Sequence, residues 1–458
     1  FEQNNPVLTR IASISLTEGQ TRLTIWGMSF RGFQERPLFG WGQEGFNYVF
    51  NTQYEPSLYA QEPWFDRAHN IFFDWLVAGG VFGLALYLSF FAIPLWYLWR
   101  RNSAFDTTER ALFTGLFAGY GFHNLFVFDN LMSYILFFSV LMFLLYRHRE
   151  HIVGSVSEGK AVPASFRVPA TVGVVAVLAL VLYFANVPGI TRAAGLIDAI
   201  RPHQEGITRN FEVFQSIISD RGLGRQEVHE QLLQFATQIR AANLSGLSTE
   251  AFRTDVARYA RDEFQNEINR APNDARLYVF YGSFLRQIGD HEGAQTVFAR
   301  ARELSPRKQN IYFEQAVLAL DAGDQNSALT LFKDAYELDT SYDRARSLYA
   351  ATLLRAGAQA PAEQLLLERY NTLAPDDDII LQAYIDIGAT ARVVAIAEGR
   401  VALNATNFDR RLQLAAACLG NGQRTEAVQA LREAIQLNPA FAEQGEFFIS
   451  EIQAGRNP

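Results

Sequence analysis

Cysteine is nearly missing from these 458 residues: the single Cys418 excludes an intrachain disulfide and any zinc cluster built from thiolates. Its neighbourhood, Leu414-Ala415-Ala416-Ala417-Cys418-Leu419, is that of a small buried hydrophobe, not of a nucleophile. Basic charge is not in excess either. With 40 Lys and Arg against 48 Asp and Glu, the formal net charge is -8, which leaves no electrostatic footprint for nucleic acid. No set of His, Cys, Asp and Glu has the spacing of metal ligands, so neither a metal nor another cofactor is expected. The first residue is Phe1, and no pattern of basic, apolar and small-residue regions precedes the first apolar run. The expectation is therefore the carboxyl-terminal part of a longer chain.

A mean hydropathy of -0.02 hides a strong asymmetry, because residues 71 to about 187 are apolar while residues 190–458 alternate Ala, Leu and charge. Four segments approach the roughly 20 apolar residues that a membrane crossing needs. They are 71–99, 111–128, 131–146 and 168–187, the last closed by Pro188-Gly189. The first is long enough to tilt or to extend past the interface. Arg100, Arg101 and Arg110 flank the first loop and Arg147, Arg149, Lys160 and Arg167 line the third, whereas the turn at Asp129-Asn130 has no basic residue. The positive-inside rule then puts the first and third loops in the cytoplasm. His69 and everything beyond Pro188 then fall on the outer face of the membrane.

The second half is periodic. Gly289, Gly323 and Gly357 recur at intervals of 34 residues, the tetratricopeptide spacing. Small positions follow the same beat: Gly282, Ala294, Ala301 and Pro306, then Ala316, Ala328, Ala335 and Thr340, then Ala350 and Ala362, and finally Ala415, Ala427, Ala434 and Pro439. A shortened unit occupies the interval around Tyr384 to Asn404. Small residues let two antiparallel helices approach closely, and each glycine suits the left-handed end of a first helix. The predicted fold is all-α, polytopic membrane helices followed by an α-solenoid. Its divisions are an outer loop with an amphipathic helix at 1–70, four membrane helices at 71–188, a helical connector at 189–270 and repeats at 271–458. Such an array offers a curved surface to a protein partner, or serves as a passive spacer.

One motif is a decoy. Gly40, Gly42 and Gly45 satisfy the dinucleotide fingerprint, but that pattern has meaning only between a strand and a helix, and here it follows Pro37 in an aromatic loop.

The chemistry is concentrated ahead of the first span. Ala68-His69-Asn70 stands immediately before it, the run Gly79-Gly80-Val81-Phe82-Gly83 follows, and Pro37-Leu38-Phe39-Gly40-Trp41-Gly42 and an arginine-bearing segment from Arg22 to Arg36 precede it. Leu23, Trp26, Phe30 and Phe33 recur at steps of three or four, so they are expected to face inward. Together these residues resemble the carboxyl-terminal half of the O-antigen ligase superfamily, over about residues 22–146. The resemblance implies transfer of a glycan from a polyprenyl diphosphate carrier to a lipid, glycan or protein acceptor. It makes His69 the general base or acceptor-orienting group and assigns Arg22 to the diphosphate, which a guanidinium binds bidentately. Arg67 is a second diphosphate candidate and Arg31 and Arg36 are lesser ones; His123, which repeats the His-Asn pair inside the second span, is a secondary site candidate as an intramembrane ionisable group or else a neutral histidine bonded to a neighbouring helix, and Asn70 is expected to cap the helix. A lone histidine can also serve as an interfacial anchor. The competing reading is a membrane-anchored repeat scaffold without activity.

Overall fold

In the computed structural model, residues 16–153, 164–218, 223–241 and 250–458 are described, and every regular element among them is helical. The amino-terminal residues and Lys160 lie outside these ranges. The chain divides into two compact units, 1–308 and 309–458.

The first unit opens with α1 (Leu16–Glu35) and the short α2 (Phe46–Thr52), followed by one 3-10 turn at Pro56–Leu58. Ile25, Met28, Phe46, Val49, Phe50, Tyr54, Leu58, Phe65, Ala68 and Val77 form their common core. The face that α1 buries differs from the expected one, since Leu23 and Phe30 are exposed while Ile25, Met28 and Ser29 are fully covered. The reason is steric. Gly32 shares the buried face, and a Cβ there would meet Val49 at 2.2 Å, so α1 approaches α2 closely at Gly32 and leaves Leu23 and Phe30 exposed while Trp26 and Phe33 stay half-buried.

The long apolar helix α3 (Ile71–Trp99) is broken. Gly80 has φ 62° and ψ -156°, a conformation open essentially only to glycine. The carbonyls released by the break are taken up by the Pro37-to-Gly42 loop: Trp41 N donates to Val77 O at 2.8 Å and Gly42 N to Ala78 O at 2.9 Å, while Val81 N donates to Pro37 O at 2.8 Å. Non-helical backbone at membrane depth is tolerated where protein satisfies it in this way.

Next come α4 (Thr107–His123), α5 (Leu131–Val153) and α6 (Ala164–Ile200). Leu98, Phe105, Phe117, Phe137 and Leu144 form an aromatic-rich core from α3 to α5. Among the described residues three helices are long and apolar enough to cross a membrane: Ile71–Trp99, Leu131–Arg149 and Ser165–Ile200. The expected fourth, at 111–128, falls short as a 17-residue helix. It starts at Thr107 because Asp106 and Glu109 form a capping box, and it ends at His123 because the next residues turn into a polar cluster described below. The last apolar helix is longer than expected and continues through Pro188 to Ile200. Three connecting helices, α7 (Ile207–Ile218), α8 (Arg225–Ala241) and α9 (Glu250–Arg270), precede the first repeat pair, α10 (Ala275–Ile288) and α11 (His291–Leu304).

The second unit continues the repeats as α12 (Gln309–Asp321) with α13 (Gln325–Leu338), α14 (Asp343–Arg355) with α15 (Gln359–Tyr370), α16 (Asp378–Asp386) with α17 (Thr390–Leu403) and α18 (Phe408–Gly420) with α19 (Arg424–Leu437), closed by α20 (Ala442–Gln453). Gly289, Gly323 and Gly357 are left-handed, as the spacing predicted, and Gly388 and Gly422 extend the series. The alanines of the repeat are the contact points: Ala316, Ala328, Ala335, Ala350, Ala362, Ala427 and Ala434 have no exposed surface. Cys418 is buried among them, and burial pushes its thiol up.

Candidate functional site

Hydrogen bonds on either side of His69 hold its backbone. On one side Ala68 N donates to Asp74 Oδ1 at 2.7 Å. On the other, Asn70 is extended and its side chain accepts from Phe72 N at 3.0 Å and Phe73 N at 3.3 Å, the N-cap of α3. Between these clamps His69 takes φ 53°, a left-handed conformation that is costly for a residue with a Cβ. Its ring stands edge-on to Phe65 and to Phe128, each at 5.6 Å between centroids. Among the described residues nothing hydrogen-bonds to the half-buried imidazole. Burial lowers its pKa below 6.5; of the nearby charges Glu62 opposes this, Arg22 adds to it and Asp66 opposes it.

Arg22 shares the face of α1 that carries Ile25 and Ser29. It is half-buried, and no carboxylate pairs with it among the described residues. Beside it, Trp26 stacks on Phe73 at 5.8 Å and meets Phe126 at 6.5 Å, tying α1 to the helix that starts just after His69. The structure thus brings the charge of Arg22 to bear on His69 across the 46 residues that separate them in sequence. Arg67 lies over Phe128 at 5.4 Å and reaches the exposed Glu44 at 3.5 Å. The other candidates are placed differently. Arg31 is engaged by Gln53 at 2.9 Å and Glu55 at 2.7 Å, Arg36 covers the Trp41 ring at 4.1 Å, and His123 ends α4 with an exposed side chain.

Three features had no place in the sequence reading. The first is Asp74, whose Oδ1 takes the Ala68 amide while its Oδ2 is buried without a hydrogen-bond partner. The second is a polar cluster joining α3, α4 and α5: Asp129 accepts from Tyr87 Oη at 3.0 Å, from Tyr120 Oη, from Asn124 Nδ2 at 3.3 Å and from Ser133 Oγ at 3.2 Å. Asn124 O also accepts from Ile71 N at 3.1 Å, which ties the cluster to the start of α3. Asp74 lies in the first turn of an apolar helix and Asp129 in the turn between two others, and ionisable groups at such places are a functional signal by default; the sequence shows the carboxylates but not their partners. The third is Lys308, which closes the first repeat and is buried; nothing in the periodicity singles it out.

Among the described residues no group of three or more His, Cys, Asp or Glu is arranged to hold a metal ion. Gly40, Gly42 and Gly45 lie in the loop between α1 and α2, part of which is bonded to α3, with no strand before them among the described residues.

Comparison with known proteins adds two matches. Residues 6–88 match the family model described as O-antigen ligase, and residues 275–308 and 409–441 match the tetratricopeptide repeat model. No curated protein matches the chain. Solved structures similar to it include the MamA protein (19% identity, TM-score 0.28, covering 37% of this chain and 94% of that one). YrrB, a TPR protein with an unusual peptide-binding site, is 15% identical with a TM-score of 0.27, covering 38% and 92%. Yeast Tom70 is 12% identical with a TM-score of 0.32, covering 96% of each chain.

Proposed function

We propose that this chain, which joins an O-antigen ligase segment to tetratricopeptide repeats, belongs to a membrane transferase that moves a glycan from a polyprenyl diphosphate carrier to an acceptor. One observation supports the reading above the others: a guanidinium without a carboxylate partner among the described residues, Arg22, acts electrostatically on a half-buried imidazole, His69, that no described residue hydrogen-bonds and that is held in a left-handed backbone at the head of an apolar helix. A histidine kept mainly neutral by burial is suited to accept a proton near neutral pH. In the reaction the acceptor hydroxyl gives its proton to His69 and its oxygen bonds to the anomeric carbon. The bond from that carbon to the diphosphate oxygen breaks, and the electron pair leaves with the diphosphate. Arg22, seconded by Arg67, meets the developing charge, so the leaving group needs no proton. Orientation follows from the loop charges: His69 and the repeats face outward from the cytoplasmic membrane, and the repeats hold a protein partner or protein acceptor.

The test is turnover of a carrier-linked glycan by the full-length protein in lipid. His69→Ala lowers kcat by about 10² to 10⁴ fold, the range of a general base, with expression and membrane insertion intact. Unchanged turnover would reduce His69 to an anchor and favour the scaffold reading.

A further inference from the structure

Lys308 is 1% exposed, and no carboxylate pairs with its amine among the described residues. Instead the nitrogen lies 4.1 Å from the Trp64 ring centroid, 4.4 Å from that of Tyr54 and 5.1 Å from that of Phe50, and it donates to the Pro63 carbonyl. Aromatic faces attract a cation and offset part of its desolvation. Burial pushes the amine down to about 7, so the charged and neutral forms are comparably populated at neutral pH and the aromatic cage favours the charged one. All four partners belong to segment 46–64, which leads directly into the His69 motif. Two more contacts from the same repeat grip that segment: Arg307 pairs with Glu55 at 3.2 Å, and Asp274 accepts from Asn47 at 3.1 Å.

A packed path runs on from the lysine to the imidazole. Phe50, one wall of the cage, meets Phe65 at 5.2 Å, and Phe65 supports the His69 ring at 5.6 Å. We propose that Lys308 is a positioning residue for His69: the end of the first repeat clamps segment 46–64, and through Phe50 and Phe65 the clamp fixes the imidazole. The proposal rests on the reading of His69 as the base. It makes the start of the repeat array a part of the site.

The test uses the full-length protein in lipid, with Lys308→Met, which keeps the volume and removes the amine, and Trp64→Leu, which opens the cage from the other side. Two quantities are read: the rate at which diethyl pyrocarbonate modifies His69, followed by mass spectrometry, and kcat against KM for the carrier-linked glycan. Both variants are expected to modify His69 several-fold faster. Both should lower kcat about 10- to 100-fold, the cost of a misplaced catalytic group, with KM changed by less than about twofold. Parental modification rate and kcat in both variants would overturn the clamp, and so would an effect of Trp64→Leu alone. Faster modification in both variants, combined with full turnover in His69→Ala, would sustain the clamp and sink the transferase reading.

Discussion

His69 is one of three non-glycine residues with positive φ among the described residues, and such strain persists only where the surroundings over-determine it. Here the restraints are the Asp74 bond to the Ala68 amide and the Asn70 cap. The charges around the ring give a pH prediction. A base works only when unprotonated, and burial lowers the pKa of His69; transfer therefore falls as the pH drops through a value below 6.5 and is level above it. Arg22 lowers that pKa further, so Arg22→Gln should move the acid limb of kcat/KM upward, while Glu62→Gln, which removes a charge that favours the proton, should move it down. A limb that stays in place in both variants would mean that His69 does not carry the profile. His69 was legible from the sequence because His-Asn at the edge of an apolar run is conspicuous. Asp74 was not, because its partner is a backbone amide, and no side-chain pattern encodes that.

At the scale of elements, the joint between the Pro37-to-Gly42 loop and α3 sets where the site stands. A Cβ on Gly80 would come within 2.4 Å of the Leu38 carbonyl, and one on Gly40 within 2.3 Å of the Val77 carbonyl. Gly80→Ala adds that clash to a backbone cost of about 1–3 kcal/mol. The variant should exchange the Trp41 and Gly42 amides faster with deuterated solvent and lose thermal stability; parental exchange at both amides would show that the joint tolerates a side chain. Both glycine runs were visible in the sequence as separate motifs. Their pairing was not, since it is made of main-chain hydrogen bonds. Similarly, the inward face of α1 was misjudged from its bulky stripe, because close approach was decided by Gly32 and Ser29 and not by hydrophobicity.

At the scale of the whole molecule, the repeats were legible because every unit reuses the same small contact positions and a left-handed glycine. The division at 308 and 309 was not, because it falls inside the periodic array, where the repeat pattern runs on without a break. It has a consequence for truncation. Deleting 309–458 should spare transfer to a small surrogate acceptor supplied in excess and weaken transfer to the native one, whose local concentration the array raises. Deleting 271–458 removes Lys308 as well and should impair both; equal activity of the two truncations toward the surrogate would deny the first repeat any part in the site. The break at Gly80 reaches further still, into the lipid. Residues 81–99 rise about 28 Å as a helix, close to the roughly 30 Å of a hydrocarbon core, so the two turns before the break are relieved of spanning. A bilayer that thickens or thins tilts that rod, while the stub bearing the imidazole stays hooked to the loop by the Val77 and Ala78 carbonyls. On the proposed function, the joint would act as a gimbal, insulating the depth of the chemistry from the thickness of the membrane around it.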